Sequence, residues 1–488
     1  MAAKDHVEEM KELTSGVTEL IGEFWHSLED LSPAGSTEPG HLLDQLPLEA
    51  PQHPDKWQDL LDDVRKMIIP NMPHLSSPNY HGYVEIGTSA PCVAAAQLIA
   101  ALTSPTCTWH VNGTGTELEM RMTDWLGRIL GLPDQFLFSS GIGNGGGVIQ
   151  ESASGSCILM LVAAKRRVLD KLRQTDKDLD PYDVSSKFVA LMSDQAHSCI
   201  ERSGFVAGIR THILPTDETG SLRAQALLDG IAEVKSLGRK PIFLGVTLGS
   251  TTTLAFDALA ELAPICNDEG IWVHVDAAIA GSAFLCPEFR HLMAGIELAD
   301  SFNCGPHKTM LVTMSCSVLW VKDRTTVESS LAIDPPYLDN HLEKPHVDYR
   351  HWSFNLTRPF RSLKLWFVIR LFGVQGLQDH IRKQSRLVKE FAHLVSTDAR
   401  FELCAEAIYS HACFRLKKSD NETNRNLLNQ INMTRKVVLT GSVFKEKYIL
   451  RFAVSSPFTE SKHVEFAWKI ITEAANELKG ADTDVLKD

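Results

Sequence analysis

Two stretches decide how this chain folds: Ile271-Trp-Val-His-Val-Asp-Ala-Ala278 and Asp300-Ser-Phe-Asn-Cys-Gly-Pro-His-Lys308. In the first, an apolar run of strand length ends in a carboxylate followed by two small residues. In the second, thirty-two residues beyond Asp276, a short strand-like run ends at Lys308. Upstream, similar apolar runs at 136–138, 188–192, 211–214 and 242–247 read as strands, as does 272–275. Helical periodicity falls between them at 93–102, 117–130, 153–172, 221–236 and 259–267. Such alternation predicts an α/β fold, a mostly parallel sheet covered by helices. Ligands of such sheets lie at the carboxyl ends of the strands, where Asp276 and Lys308 stand.

The flanks read differently. Residues 4–28 carry apolar positions at three- and four-residue steps. The stretch 32–54 is rich in Pro, Gly and Ser, and 57–69 is helical again up to Pro70. Helices joined by an extended segment cannot bury a core alone, so this arm must pack on the main body or on a partner subunit. Beyond 385, strands are expected at 401–404, 412–416, 437–440 and 449–453 and helices at 422–431 and 461–478, a small α+β piece. The expected organisation is therefore an N-terminal arm at 1–89, a large domain at 90–385 and a small domain at 386–488.

Composition narrows the function. Of 488 residues 44% are hydrophobic and 22% charged, which excludes a largely disordered chain and a small disulfide scaffold. The net charge of −13 disfavours nucleic acid and anionic membranes as partners. Ten cysteines are scattered without a CxxC pair, so no metal site is expected from their spacing, and buried free thiols in a reducing compartment are. The N-terminal decapeptide has acids where a signal peptide needs an apolar stretch, and no run is long enough to span a bilayer. A cytoplasmic protein is the expectation.

A carboxylate or a His-Lys pair taken alone would be an ordinary strand-end cap or surface feature. Together, at strand ends of one sheet, they suit pyridoxal phosphate. The lysine amine bonds covalently to the cofactor aldehyde, and the carboxylate keeps the pyridine nitrogen protonated. The glycine-rich run Ser139–Gly147 leads through Ser152-Ala-Ser154 into a helix, and suggests a phosphate-binding turn with free backbone N–H groups. A small-residue run, Thr247–Thr253, follows another strand and could line the cofactor, and His197 follows the strand at 188–192, where an imidazole could stack on its ring.

These residues sit within longer matches. His274-Val-Asp-Ala-Ala, Ala280-Gly-Ser-Ala, Cys286-Pro-Glu-Phe-Arg-His291, Ala299-Asp-Ser-Phe-Asn, Pro306-His-Lys, Tyr349-Arg-His-Trp352 and Phe360-Arg-Ser-Leu-Lys364 resemble the group II pyridoxal-phosphate amino-acid decarboxylases, and among them the aromatic L-amino-acid decarboxylases. The resemblance runs over nearly the whole chain. It implies a fold-type I enzyme with a swapped N-terminal arm, and an obligate homodimer with shared active sites. It further implies that Lys308 bonds the cofactor, Asp276 pairs with the pyridinium, Ala278 packs under the ring and His197 stacks above it. Ala153 and Ser154 would hold the phosphate, while Thr251, His307 and Gly305 line the cofactor. Tyr337 matches the mobile-loop tyrosine that protonates the substrate carbon after carbon dioxide leaves, acting in the neighbouring subunit's site.

The chain also departs from the family. Gly305 stands where relatives carry an asparagine that helps hold phosphate, so an asparagine there is expected to tighten cofactor binding. Ile279 replaces a tyrosine, and Thr309 an aromatic residue. In the expected substrate pocket, Tyr83, Glu85 and Ile86 replace an aromatic-Pro-Thr-like run, Cys107 a pocket aromatic, and Thr357 a Gly or Ser. Glu85 either forms a local ion pair or selects a substrate bearing a donor, with His110 as a neighbouring polar contact. Three functions stay open at this point: decarboxylation to an amine, oxidative decarboxylation to an aldehyde, and a catalytically weakened homologue. Retained Lys308, Asp276, His197 and Tyr337 favour the first.

Overall fold

The computed structural model describes residues 3–35, 38–84, 87–333 and 346–484. The chain divides into two compact units. The larger comprises 84–389 and 405–413; the smaller comprises 1–83, 390–404 and 414–488, so the N-terminal helices group with the C-terminal strands.

The larger unit is built on seven strands: β1 (Gly146–Gln150), β2 (Phe188–Ser193), β3 (Arg210–Leu214), β4 (Lys240–Thr247), β5 (Trp272–Ala277), β6 (Ser301–Cys304) and β7 (Ser317–Val321). Their order is β1-β7-β6-β5-β4-β2-β3. The pairs among β2 to β6 are parallel, and β7 runs antiparallel to both its neighbours. This is the mostly parallel α/β sheet expected. β1, β2, β5, β6 and β7 are buried along their whole length, so they read as continuous apolar or small-residue runs rather than as alternation. Helices Ala153–Arg173, Cys199–Ala207, Ala224–Ser236 and Leu259–Glu269 are threaded between the strands. Thr247 pairs with Asp276, and Asp276 with Asn303, so three strand ends form one edge.

Two expectations in this unit fail for identifiable reasons. Residues 136–138 are not a strand but lie in two 3-10 turns, Asp134–Phe136 and Phe138–Ser140. The Asp124 carboxylate accepts the amides of Phe138 and Ser139, both at 2.9 Å, and removes them from any ladder. Of the glycine-rich run, Gly146 and Gly147 belong to β1. A Cβ on Gly146 would meet the Phe138 ring at 2.4 Å and one on Gly147 the Thr123 Cβ at 2.6 Å. These two glycines permit close packing of a strand and do not form an anion-binding turn. β7 was not anticipated.

In the smaller unit, β8 (Phe401–Leu403), β9 (His411–Leu416), β10 (Thr440–Phe444) and β11 (Lys447–Ala453) form a sheet of order β10-β11-β9-β8. Its core stacks Phe391 on Phe452 at 3.8 Å, with Trp468 edge-on to Phe391 and Phe401. The strand expected at 437–440 starts only at Thr440, because the Asn432 side chain takes both backbone groups of Leu439. Helix Trp57–Asp63 continues as a wider turn, Val64–Ile68, and ends in a 3-10 turn that contains Pro70. Among the described residues, no helix is long and apolar enough to cross a membrane.

Candidate active site

One cavity of the larger unit is lined by Ser152, Ala153, Ser154, His197, Thr247, Gly249, Thr251, Asp276, Ala278, Ile279, His307 and Lys308. They arrive from five segments: 152–154, 197, 247–251, 276–279 and 307–308. Asp276 ends β5, and its Oδ1 accepts the Ala278 amide at 3.0 Å, which bends the chain away from the sheet. Its Oδ2 receives the Cys199 thiol at 3.8 Å. Lys308 lies in the four-residue helix Pro306–Thr309, one residue past β6, with its amide on the Gly305 carbonyl at 2.9 Å. Adjacent His307 is buried, its Nδ1 2.5 Å from the Cys316 carbonyl, and its own carbonyl accepts from Gly87 at 2.8 Å. Those bonds fix the short helix, and so the origin of the lysine side chain.

His197 stands just ahead of helix Cys199–Ala207, and the Cys199 amide donates to its Nδ1 at 3.1 Å. A side-chain hydrogen bond with the Cys199 thiol raises the imidazole pKa above its ordinary value, against the opposing effect of burial. The Cys199 thiol is drawn down, first by the neighbouring Cys157 thiol and then by His197. Thr247 and Thr251 flank a tight turn at Gly249, whose φ is +90° and where a Cβ would meet Ala280 at 2.5 Å. Buried Asp257 holds this turn by accepting the amides of Thr247 at 2.7 Å and Leu222 at 2.9 Å, and burial pushes its pKa up to about 7. Asp257 was not singled out in the sequence, where an Asp after Phe256 reads as an ordinary loop residue.

At the opposite wall, Ser152 caps helix Ala153–Arg173 by accepting the Gly155 amide at 3.2 Å. The first two amides, those of Ala153 and Ser154, are thereby left for a ligand at the positive end of the helix. β1 delivers this helix start, and a buried network pins β1. The Glu119 carboxylate accepts the Ile149 amide at 2.8 Å and pairs with Arg358 at 2.5 Å, while Arg358 donates to the Ile149 carbonyl at 3.0 Å. Tyr349 donates to the Gly147 carbonyl at 2.9 Å, and Gln150 to that of Trp352 at 2.5 Å. The sequence displays Tyr349 and Trp352 only as members of a resembling segment. Their mechanical role becomes visible in three dimensions.

The cavity thus contains one amine, one carboxylate, two imidazoles and a pair of helix-start amides. This set fits pyridoxal phosphate: Lys308 for covalent attachment, Asp276 for the ring nitrogen, Ala153 and Ser154 for the phosphate. Of the expected cofactor residues, Lys308, Asp276, Ala278, His197, Ala153, Ser154, Thr251 and His307 are brought together. Gly305 caps the lysine helix from behind, and a Cβ there would meet the Ala278 carbonyl oxygen at 2.6 Å. That contact opposes the gain expected from an asparagine at 305, since the backbone of Ala278 would have to shift to admit its side chain. Of the expected substrate-side residues, the four that are described do not line the cavity. Cys107, His110 and Thr357 are not among its lining residues, with His110 and Thr357 exposed, and Tyr83 is exposed in the smaller unit. Glu85, Ile86 and Tyr337 lie outside the described residues.

Comparison with known proteins agrees with this chemistry. Residues 39–417 match the pyridoxal-dependent decarboxylase conserved domain. The chain belongs to the pyridoxal-dependent decarboxylase family. It is 43% identical to aromatic-L-amino-acid decarboxylase of Mus musculus over 96% of this chain and 98% of that one. A solved structure of Catharanthus roseus tryptophan decarboxylase in complex with L-tryptophan superposes with a TM-score of 0.90 at 36% identity, over 98% of this chain and 99% of that one. Rhodiola rosea 4-hydroxyphenylacetaldehyde synthase does so with a TM-score of 0.89 at 31% identity and the same coverage. This decarboxylase is a lyase that uses pyridoxal phosphate to remove carbon dioxide from an amino acid.

Proposed function

We propose that this decarboxylase converts an aromatic L-amino acid to its amine and carbon dioxide. The observation that carries the proposal is the convergence of Lys308, Asp276, His197 and the Ala153–Ser154 amides on one cavity, together with the similarity to aromatic-L-amino-acid decarboxylases. The bound cofactor supplies an electron sink for the bond that breaks as carbon dioxide leaves. Lys308 would hold the cofactor covalently and could release it to a substrate amine. Asp276 would keep a proton on the ring nitrogen by charge. Ala278 and His197 would restrict the ring, Thr251 and His307 would close the cavity around it, and Ser154 would assist the phosphate. Gly305 serves by leaving room for the Ala278 backbone. Tyr337 delivers the proton to the substrate carbon.

We further assign the molecule as a cytoplasmic homodimer in which the arm at 1–89 is exchanged, and Tyr337 serves the partner's cavity. The arm's apolar residues Leu43, Leu46 and Leu48 are exposed in the single chain, as an exchanged arm would require. The domains at 90–385 and 386–488 carry the cofactor and the small sheet. Carbon dioxide release by purified protein supplied with pyridoxal phosphate, measured across a panel of amino acids with the product resolved as amine or aldehyde, tests the assignment. Amine from an aromatic substrate is expected. Aldehyde as the main product moves the protein to the oxidative reaction, and release from no aromatic substrate rejects the assignment.

A further inference from the structure

Beneath the cavity floor, two cysteines and the cofactor-facing aspartate form a cluster that the proposed reaction does not use. Cys157, from helix Ala153–Arg173, and Cys199, from helix Cys199–Ala207, place their sulfurs 3.7 Å apart. The Cys199 sulfur is 3.8 Å from Asp276 Oδ2. One ligand atom from each of the three residues lies within 4.8 Å of the other two, and all three residues are buried. His274 stands behind them, its Nε2 3.6 Å from the Cys157 sulfur and its Nδ1 2.9 Å from the Ser301 hydroxyl.

We propose that Cys157, Cys199 and Asp276 form a binding site for one thiophilic divalent cation of the zinc class. Spacing is the first argument. Two thiolates each about 2.3 Å from a tetrahedral zinc lie about 3.8 Å apart, and a thiolate and a carboxylate oxygen about 3.6 Å apart. The Cys157–Cys199 and Cys199–Asp276 separations of 3.7 and 3.8 Å are close to these, and the third separation lies within 4.8 Å. A disulfide would instead need the sulfurs at about 2.05 Å, a much larger displacement of two packed helices. Composition is the second. Thiolate and carboxylate are both ligand types that zinc accepts, and all three residues that supply them are buried. Asp276 also lines the cavity, so the proposed cation would share this carboxylate with whatever occupies it. Binding displaces both thiol protons to solvent, and the cation then bonds two thiolates and one carboxylate.

A cation here removes Asp276 from the ring nitrogen. Loading with metal and loading with cofactor therefore oppose each other, a consequence that rests on the reading of Asp276 proposed above.

The test uses the full-length, reduced, cofactor-free protein titrated with cadmium, a zinc-class probe whose thiolate bonds absorb in the ultraviolet. One saturating absorption step at one equivalent per chain is expected, with release of two protons. Cys157→Ser and Cys199→Ser should each lose the step, or weaken it at least tenfold, with circular dichroism unchanged. Addition of pyridoxal phosphate to the wild type should release the metal. Absence of the step in the wild type, or its persistence in both serine variants, overturns the site. Metal retained at full occupancy after the cofactor has bound overturns the opposition, and with it the reading of Asp276, while leaving the step itself in place.

Discussion

Glu119 and Arg358 form an ion pair of 2.5 Å between side chains that are 0% and 1% exposed. Each charge also bonds the backbone of Ile149 in β1, so the pair fastens a strand that leads directly to the phosphate-side helix. Removing one partner strands the other charge out of water, at a cost of about 3–5 kcal/mol. Glu119→Leu and Arg358→Met should each lower the urea midpoint strongly. The double substitution should recover part of the loss, because no charge is left unpaired, but not the bonds to Ile149. A double variant no more stable than either single one would mean that the backbone bonds dominate.

Lys308 is the only amine among the residues that line the cavity. Lys308→Ala should abolish carbon dioxide release, together with the visible absorbance that survives desalting. Noncovalent phosphate binding at Ala153 and Ser154 should persist, so the cofactor would still bind but wash out. Turnover within tenfold of the wild type would reject the assignment of the lysine.

Tyr337→Phe tests the proposed proton donor. Without its hydroxyl, the substrate carbon stays unprotonated after carbon dioxide departs and becomes open to oxygen. The product should shift from amine toward aldehyde, accompanied by ammonia and hydrogen peroxide. Unchanged amine yield and rate in a peroxide-coupled assay would place the donor elsewhere.

Acid should loosen the smaller unit through His81. Its Nδ1 is 3.0 Å from the Ala453 carbonyl, its ring stacks on Phe452 at 4.0 Å, and its Nε2 is buried without a hydrogen-bond partner among the described residues. Burial pushes its pKa down to about 3, so the folded state keeps it neutral while the unfolded chain takes up a proton near the ordinary imidazole value of 6.5. Between those values the unfolded state binds more protons, so stability falls as pH falls, by up to about 1.4 kcal/mol per pH unit. Above the unfolded value the contribution is complete. Urea midpoints measured from pH 7 to pH 4 should show a shallower slope for His81→Asn than for the wild type. Parallel slopes would show that His81 already binds its proton in the folded state.

What could be read from the sequence follows from how local each signal is. Asp276 and Lys308 were legible because each ends a short apolar run, and parallel sheets gather such ends at one edge. Ser154 was legible as a residue at a helix start. The glycine run misled, because glycine is selected both for turns and for close approach. Only the positions of Phe138 and Thr123 show that Gly146 and Gly147 serve the second need. Cys157 and Cys199 are 42 residues apart, and Glu119 and Arg358 are 239 apart. No periodicity or spacing joins such pairs. Packing of helix against helix, and of β1 against the 349–358 segment, creates both relationships.

At Gly305 the resemblance and the local packing point in opposite directions. Relatives place an asparagine there, and its amide would add a bond to phosphate if the backbones coincided. In this chain a Cβ at 305 would lie 2.6 Å from the Ala278 carbonyl oxygen, a backbone atom that cannot rotate away. Ala278 in turn is tied by its amide to Asp276, so a push on it moves the carboxylate that faces the cofactor. Gly305→Ala, which adds only the Cβ, should therefore weaken cofactor retention at least tenfold, and Gly305→Asn should do no better. The cofactor dissociation constant, followed by absorbance during dialysis, separates the two possibilities. Tighter binding in Gly305→Asn than in the wild type would show that the Ala278 turn yields, and that its contact with Gly305 is not what fixes the site.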